Sequence, residues 1–191
     1  MSETKLRQFS ALVIKWSAKI NLVSKHDLPY LWERHIQDSL ALIAHIPAGT
    51  EAAIDLGSGA GFPGLVLAIA TGIPFTLIES DRRKAAFLLD AGRELQAPVR
   101  VLNSRIEAAR PVPAPLVTAR ALAPLDKLLA LATPHLAAGG VCLFPKGRSY
   151  EEELKTAETH WRMDVERCKN PNDAEACILK LGNIHHAGTP R

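Results

Sequence analysis

The stretch Ile54-Asp-Leu-Gly-Ser-Gly-Ala-Gly-Phe-Pro-Gly-Leu65 sets four glycines, Gly57, Gly59, Gly61 and Gly64, within eight positions behind one carboxylate, Asp55. Glycine admits tight turns and lets backbone approach a ligand closely, so the run reads as a cofactor loop. Two cofactors fit its spacing. Gly59, Gly61 and Gly64 match the G-x-G-x-x-G of dinucleotide binding, while Asp55, Gly57, Gly59 and Gly61 match the acidic-x-G-x-G-x-G that receives S-adenosylmethionine (AdoMet). Glu79, twenty residues after Gly59, suits both, because an acidic residue ending the second strand accepts ribose hydroxyls. Asp55 discriminates between them. A dinucleotide rests its pyrophosphate at the start of the first helix, where a neighbouring carboxylate repels it. AdoMet has no phosphate and brings an ammonium and a sulfonium, which a carboxylate attracts directly or through water. The charge balance therefore favours AdoMet over NAD. A third reading of Asp55, a buried carboxylate capping its own glycine loop, stays open.

Other residues fall on the same site by topology. Ile106 and Glu107, in Asn103-Ser-Arg-Ile-Glu107, follow the third candidate strand, where an adenine ring would be edged; Glu107 could equally be a solvated charge at a helix start. Arg120, in Val117-Thr-Ala-Arg120, follows the fourth strand, on the substrate-facing side of the crevice. Lys146 and Gly147 end the fifth, a weaker claim because lysines at strand ends are commonly solvated.

The elements that must position these residues follow from periodicity. Leu6, Phe9, Leu12, Val13, Trp16 and Ile20 recur at three- and four-residue intervals, one face of a helix. Asp27 before Leu28 and Pro29 reads as the cap of a second helix running to His45, ended by Pro47 and Gly49. Residues 1–48 are thus expected to form a helical appendage to a main domain spanning 49–191. From residue 52 short apolar runs alternate with helical stretches, as parallel strands with crossover helices do. Strands are expected at 52–56, 75–79, 99–103, 116–119 and 141–144, helices at 63–70, 82–95, 125–136 and 150–159. Two last strands, near 163–167 and 176–181, are joined only by a turn at Asn170-Pro-Asn-Asp173 and suit an antiparallel hairpin. The sum is an α/β fold: a doubly wound, mostly parallel, seven-stranded sheet.

Composition bounds the partners. The 191 residues, 47% apolar, suffice for one substantial core. No apolar run approaches the ~18 residues of a membrane span, and the lysine-interrupted start lacks the apolar block of a secretion signal, so a cytoplasmic protein without a membrane partner is expected. Cys142, Cys168 and Cys177 make no C-x-x-C pair, and His185 and His186 read as a solvated tail, so neither a disulfide framework nor a metal site is expected. A net charge of +3 is compatible with a polyanionic partner and leaves it open.

Taken together, Trp16-Ser-Ala-Lys-Ile-Asn-Leu22, Arg34-His-Ile-Gln-Asp-Ser-Leu40, Asp55–Gly64, Thr118-Ala-Arg-Ala121 and Lys146-Gly147 make the chain resemble, over nearly its whole length, the ribosomal RNA small-subunit methyltransferase G family, also called glucose-inhibited division protein B. The resemblance implies a Rossmann-like class I AdoMet methyltransferase that methylates N7 of one guanine in 16S ribosomal RNA, as naked RNA or in the small ribosomal subunit; a monomer is expected. The family's AdoMet contacts carry over to Gly57, Phe62, Ile106, Glu107 and Arg120. Ser17 stands where the family usually has Asn, and the N-terminal segment reads as short, which bears on RNA contacts rather than on the glycine loop. The segment from Arg34 to Ser39 has two readings, a hydrogen-bonded helix packed on the domain or a helix lining the cofactor mouth.

Guanine N7 carries an in-plane lone pair and no proton, so its methylation requires positioning rather than a base. Arg120 is the candidate positioning residue, toward guanine O6 or the methionine carboxylate. Lys15, Lys19, Lys25, Arg82, Arg83, Lys84 and Arg148 are candidate RNA contacts. Two alternatives stand: an NAD-dependent oxidoreductase on the same sheet, and a non-catalytic module binding AdoMet or RNA.

Overall fold

The computed structural model describes residues 2–188. Helix α1, Ser2–Ser17, turns Leu6, Phe9, Leu12 and Val13 inward and leaves Lys5, Arg7 and Lys15 outside the core. The following segment winds continuously from 28 to 45, as a 3₁₀ turn (Leu28–Tyr30), a π-helix (Trp32–Gln37), a short α2 (Asp38–Leu40) and a second 3₁₀ turn (Ala41–His45). The expected second helix is therefore present in extent but mixed in winding. Its expected cap is not formed: Asp27 is already in the helical region, and its carboxylate accepts the Ser24 hydroxyl and an Arg34 N–H instead of helix amides.

Seven strands follow: β1 Ala53–Leu56, β2 Phe75–Glu79, β3 Val99–Asn103, β4 Ala114–Ala119, β5 Leu136–Lys146, β6 Trp161–Lys169 and β7 Cys177–His186. Between them lie α3 Gly64–Thr71, α4 Arg82–Glu94, α5 Leu125–Ala132 and α6 Tyr150–His160. The sheet order is β3-β2-β1-β4-β5-β7-β6, parallel through β5, with β7 antiparallel to both β5 and β6. This is the doubly wound sheet with a closing hairpin that the sequence predicts. His185 and His186 are not a tail: they end β7 opposite Arg162 and Trp161, because β7 runs on well beyond the apolar core of its strand pattern. Among the described residues no helix is long and apolar enough to cross a membrane.

Strand alternation divides the core between the two faces of the sheet. Ala53, Phe75, Leu77, Leu116 and Leu143 face α1, α3 and α4, whereas Ile54, Leu56, Ile78, Val117 and Phe144 face α5 and α6. Helix α1 is part of the first face. Phe9, with no exposed surface, lies 5.4 Å from the ring of Phe62 in the glycine loop and 6.3 Å from that of Phe87 on α4. The N-terminal helix thus braces the loop after β1 from below.

That burial has a measurable consequence. Phe9→Ala removes a fully buried ring and should destabilise the protein by about 3–5 kcal/mol. Urea unfolding followed by circular dichroism should show it as one transition shifted to lower denaturant for the whole chain. A separate early transition confined to the N-terminal helix would show that α1 is an independent unit.

Candidate active site

The sheet order reverses between β1 and β4, whose following helices lie on opposite faces, and there the loops after the two strands part to form a crevice. The loop after β1 is built on left-handed glycines: Gly57, Gly59 and Gly61 have φ of +63°, +55° and +92°. A Cβ at Gly57 would stand 2.7 Å from Leu122 Cδ1, so the two loops touch there, and the left-handed backbone at this residue favours glycine. Glu79, at the end of β2, ties the loop down. One carboxylate oxygen accepts the Gly59 N–H at 2.8 Å and the other the Asp81 N–H at 2.7 Å. Each oxygen keeps a lone pair for a further donor.

Asp55 lies beneath this loop. It has no exposed surface; Oδ1 accepts the Thr118 hydroxyl from the register-matched position of β4 at 2.7 Å, and Oδ2 takes no hydrogen bond. Its side chain presses against Gly64, the first residue of α3, where a Cβ would come within 2.5 Å of Asp55 Cβ and 2.7 Å of its carboxyl carbon. Burial pushes the Asp55 carboxyl up to about 6, against the lowering pull of Thr118. Of the readings left open by the sequence, this placement is the buried carboxylate supporting its own loop.

Arg120 stands across the crevice. Its guanidinium lies 5.3 Å over the Phe62 ring, donates to the Arg34 carbonyl at 3.0 Å and pairs with His35 Nδ1. The His35 ring stacks on the same Phe62 at 5.0 Å. Burial, and then the Arg120 charge, holds the His35 imidazole down to about 4, so the ring is neutral near pH 7. With Nδ1 accepting from Arg120, the proton sits on Nε2, which is buried without a partner. Arg120 is itself lowered by burial from its ordinary value, while Asp38 and Asp55 oppose the shift. The segment from Arg34 to Ser39 therefore roofs the crevice while also being packed and hydrogen-bonded.

The remaining candidates divide. Lys146 is not solvated: it is largely buried, donating to the Ala123 carbonyl at 3.0 Å and to Glu153 at 2.8 Å. At Gly147 a side chain would meet open space, and its carbonyl accepts the Tyr150 N–H at 3.1 Å. Ile106 and Glu107 line a cavity of about 400 Å³ together with Leu131, Pro134 and His135, and the Ile106 carbonyl meets His135 Nε2 at 3.2 Å. No hydrogen bond among the described residues joins either to the glycine loop. Three donors, His45, Glu166 and Cys168, lie within 4.8 Å of one another, but Glu166 is ion-paired to Lys180 at 2.9 Å and burial raises the thiol.

Sequence reasoning named Thr118 only within a motif, without its pairing to Asp55, and missed Leu122. The first had a signal, a lone hydroxyl in the apolar run Leu116-Val-Thr-Ala119; the second had none, since its role depends on which loops the sheet order brings together.

The family model for rRNA small subunit methyltransferase G matches residues 2–177. The chain is 51% identical over 180 residues to the ribosomal RNA small subunit methyltransferase G of Gluconobacter oxydans, covering 94% of this chain and 93% of that one. To the Acidiphilium cryptum protein of the same name it is 54% identical over 185 residues, covering 95% and 85%. The chain belongs to this family. Its fold is also that of M. jannaschii TYW2, solved in complex with AdoMet, with a TM-score of 0.61 at 17% identity over 88% of this chain and 80% of that one. Membership in a methyltransferase family leaves the oxidoreductase alternative without support.

The raised Asp55 carboxyl makes stability depend on pH with a definite sign. Its folded value of about 6 lies above the ordinary 3.8, so the folded state holds an extra proton between these values. The favourable contribution is complete below 3.8 and is lost as pH rises through 6. Asp55→Asn carries no such charge and should exceed wild type by up to about 3 kcal/mol at pH 8, with the difference fading toward pH 4. Urea denaturation of both proteins across that range measures it; a variant uniformly less stable would show that the buried charge is fully compensated.

Proposed function

We propose that this chain transfers the methyl group of AdoMet to N7 of one guanine in 16S ribosomal RNA. The observation that carries the reading is the meeting, at the switch point of the sheet, of a left-handed glycine loop, an anchored carboxylate at Glu79 and the Arg120 guanidinium, in a chain of this family.

The residues present fit AdoMet. Gly57 and Gly59 offer backbone without side chains, and Glu79, held by two amides, keeps lone pairs for the two ribose hydroxyls. Phe62, Ile106 and Glu107 are assigned as flanking contacts, and Arg120 as a contact for the methionine carboxylate, since two of its five N–H groups are engaged with Arg34 and His35 and three are left. Asp55 acts from beneath, holding the loop and adding negative potential. When bound, AdoMet supplies an electrophilic methyl group on a sulfonium.

The chain's own part is then alignment. Guanine N7 has no proton to lose, and the nearest imidazole, His35, is neutral above about 4 and hydrogen-bonded to Arg120, so it is a positioning partner rather than a base. Residues 1–48 serve as a roof and brace on the methyltransferase domain of residues 49–191. Lys15, Lys19, Lys25, Arg82 and Arg83 are exposed and suit a dispersed contact with RNA phosphates, as does the less exposed Lys84; Arg148 is paired with Glu175 at 3.6 Å. We take the protein to act as a cytoplasmic monomer without a metal, on the naked RNA or the assembled subunit.

Mapping 7-methylguanosine in ribosomal RNA from cells with and without the protein tests the assignment: one guanine should lose its N7 methyl group in the absence of the protein and regain it on return of the gene. The mechanism has its own test. Single-turnover methyl transfer at saturating RNA and AdoMet should be nearly flat from about pH 6.5 to 9. A tenfold rise per pH unit that disappears in His35→Gln would replace positioning with base catalysis.

A further inference from the structure

A second cleft opens beside the first, where the loops after β4 and β5 face the turn of the β6–β7 hairpin. It has a volume of about 430 Å³ and is lined by Asp38, Arg120, Leu122, Lys146, Asn170 and Asp173 among others. Two of these, Arg120 and Leu122, also belong to the crevice proposed for the cofactor, so the cleft is continuous with it. Its volume is that of an ordinary small-ligand site.

The carboxylates around this cleft are not equivalent. Glu153 is committed to Lys146 at 2.8 Å and to the Leu125 N–H at 2.9 Å. Asp173 closes its own turn by accepting the Glu175 N–H at 2.9 Å. Asp38 forms no ion pair among the described residues. Its Oδ1 accepts the Asn172 side-chain amide at 3.2 Å and that of Asn170 at 3.5 Å, the outer limit of a hydrogen bond, while Oδ2 accepts nothing. Both asparagines come from the turn more than 130 residues later in the chain, which holds the carboxylate in place at the mouth of the cleft.

The charges of Asp38 and Arg120 favour each other across the cleft without a direct ion pair, and Oδ2, with no donor among the described residues, is open to a donor-bearing partner. Among the four bases only guanine offers two adjacent donors, N1–H and the N2 amino group, on its Watson–Crick edge. A carboxylate is the matching acceptor. Gripping that edge leaves N7 free on the other side of the base. We propose that this cleft is the subsite for the acceptor base and that Asp38 selects guanine by accepting hydrogen bonds from N1–H and N2–H. The inference rests on the methyl transfer to guanine N7 proposed above and names the residue that reads the base.

The test compares guanine with inosine, which keeps N7, O6 and N1–H and lacks the N2 amino group. With the methylated guanine mapped, the RNA is prepared with either base at that position and single-turnover rates are measured. Wild type should prefer guanine by about tenfold or more, the loss expected for one hydrogen bond to a charged group. Asp38→Ala should bring the ratio close to one while AdoMet affinity by calorimetry stays at the wild-type value. Asn172→Ala, which loosens the turn but keeps the carboxylate, should lower the rate for both bases and preserve the ratio. Should Asp38→Ala fail to fold, Asp38→Asn keeps the shape, and its ratio should fall as well. A wild-type ratio in the Asp38 variants, or an equal collapse in Asn172→Ala, overturns the role of Asp38 and leaves N7 transfer standing. Absence of 7-methylguanosine from the wild-type reaction instead overturns the functional reading on which it rests.

Discussion

A carboxylate cut off from water is costly to keep charged, and the centre of this molecule is arranged around one. Asp55 has no exposed surface and only one hydrogen-bonded oxygen. What relieves the charge is geometry. Thr118 must stand opposite it on β4, which pins the β1–β4 register, and α3 must begin directly above it, which admits only glycine at position 64. The Gly64 backbone, at the start of α3, then opposes the rise that burial imposes on the carboxyl. With strand register and helix start both fixed, the intervening loop has one path to follow, and its glycines take the left-handed conformations that this path demands.

The same fixed loop gives the crevice its opposite wall. Phe62, at the loop's end, packs against both Phe9 and His35, with Arg120 over its ring. A single aromatic side chain therefore joins the N-terminal helix, the roof segment and the end of β4. Each partner adds apolar or cation–π contact, of the order of 1 kcal/mol apiece, and together they hold Arg120 at one orientation. Burial in this poorly hydrated wall drives the neighbouring imidazole neutral, and the guanidinium charge adds to that effect.

Much of this was legible in the sequence because it depends on short-range pattern. The alternation of apolar runs and helices located all seven strands, and Phe75–Glu79 and Val99–Asn103 were found to the residue, being bounded by proline on one side and polar residues on the other. The glycine spacing and Glu79 were legible for the same reason. What escaped was long-range. Asp55 reads first as a carboxylate facing a ligand's cation, with a buried support for its own loop left open, and only the position of Gly64 and Thr118 shows how deeply it is buried. Lys146 looks like an exposed strand end until α6 brings Glu153 to it. The length of β7, and so the place of His185 and His186, is set by pairing with β6 across a twisted edge rather than by its own apolar run.

The π-helix from Trp32 to Gln37 reaches further than its six residues. Where an α-helix advances about 100° per residue, the wider turn of a π-helix advances less, so it takes up one residue more than the regular winding would. Everything after it is rotated relative to everything before it. Arg34 and His35 lie within the wide turn and meet Arg120; Asp38 comes just after it and meets Asn172. A one-residue deletion in the segment would let it rewind as an ordinary helix and swing Asp38 away from the hairpin while the upstream contacts stayed in register. The number of residues in this stretch, and not only their identity, therefore sets where Arg34, His35 and Asp38 stand.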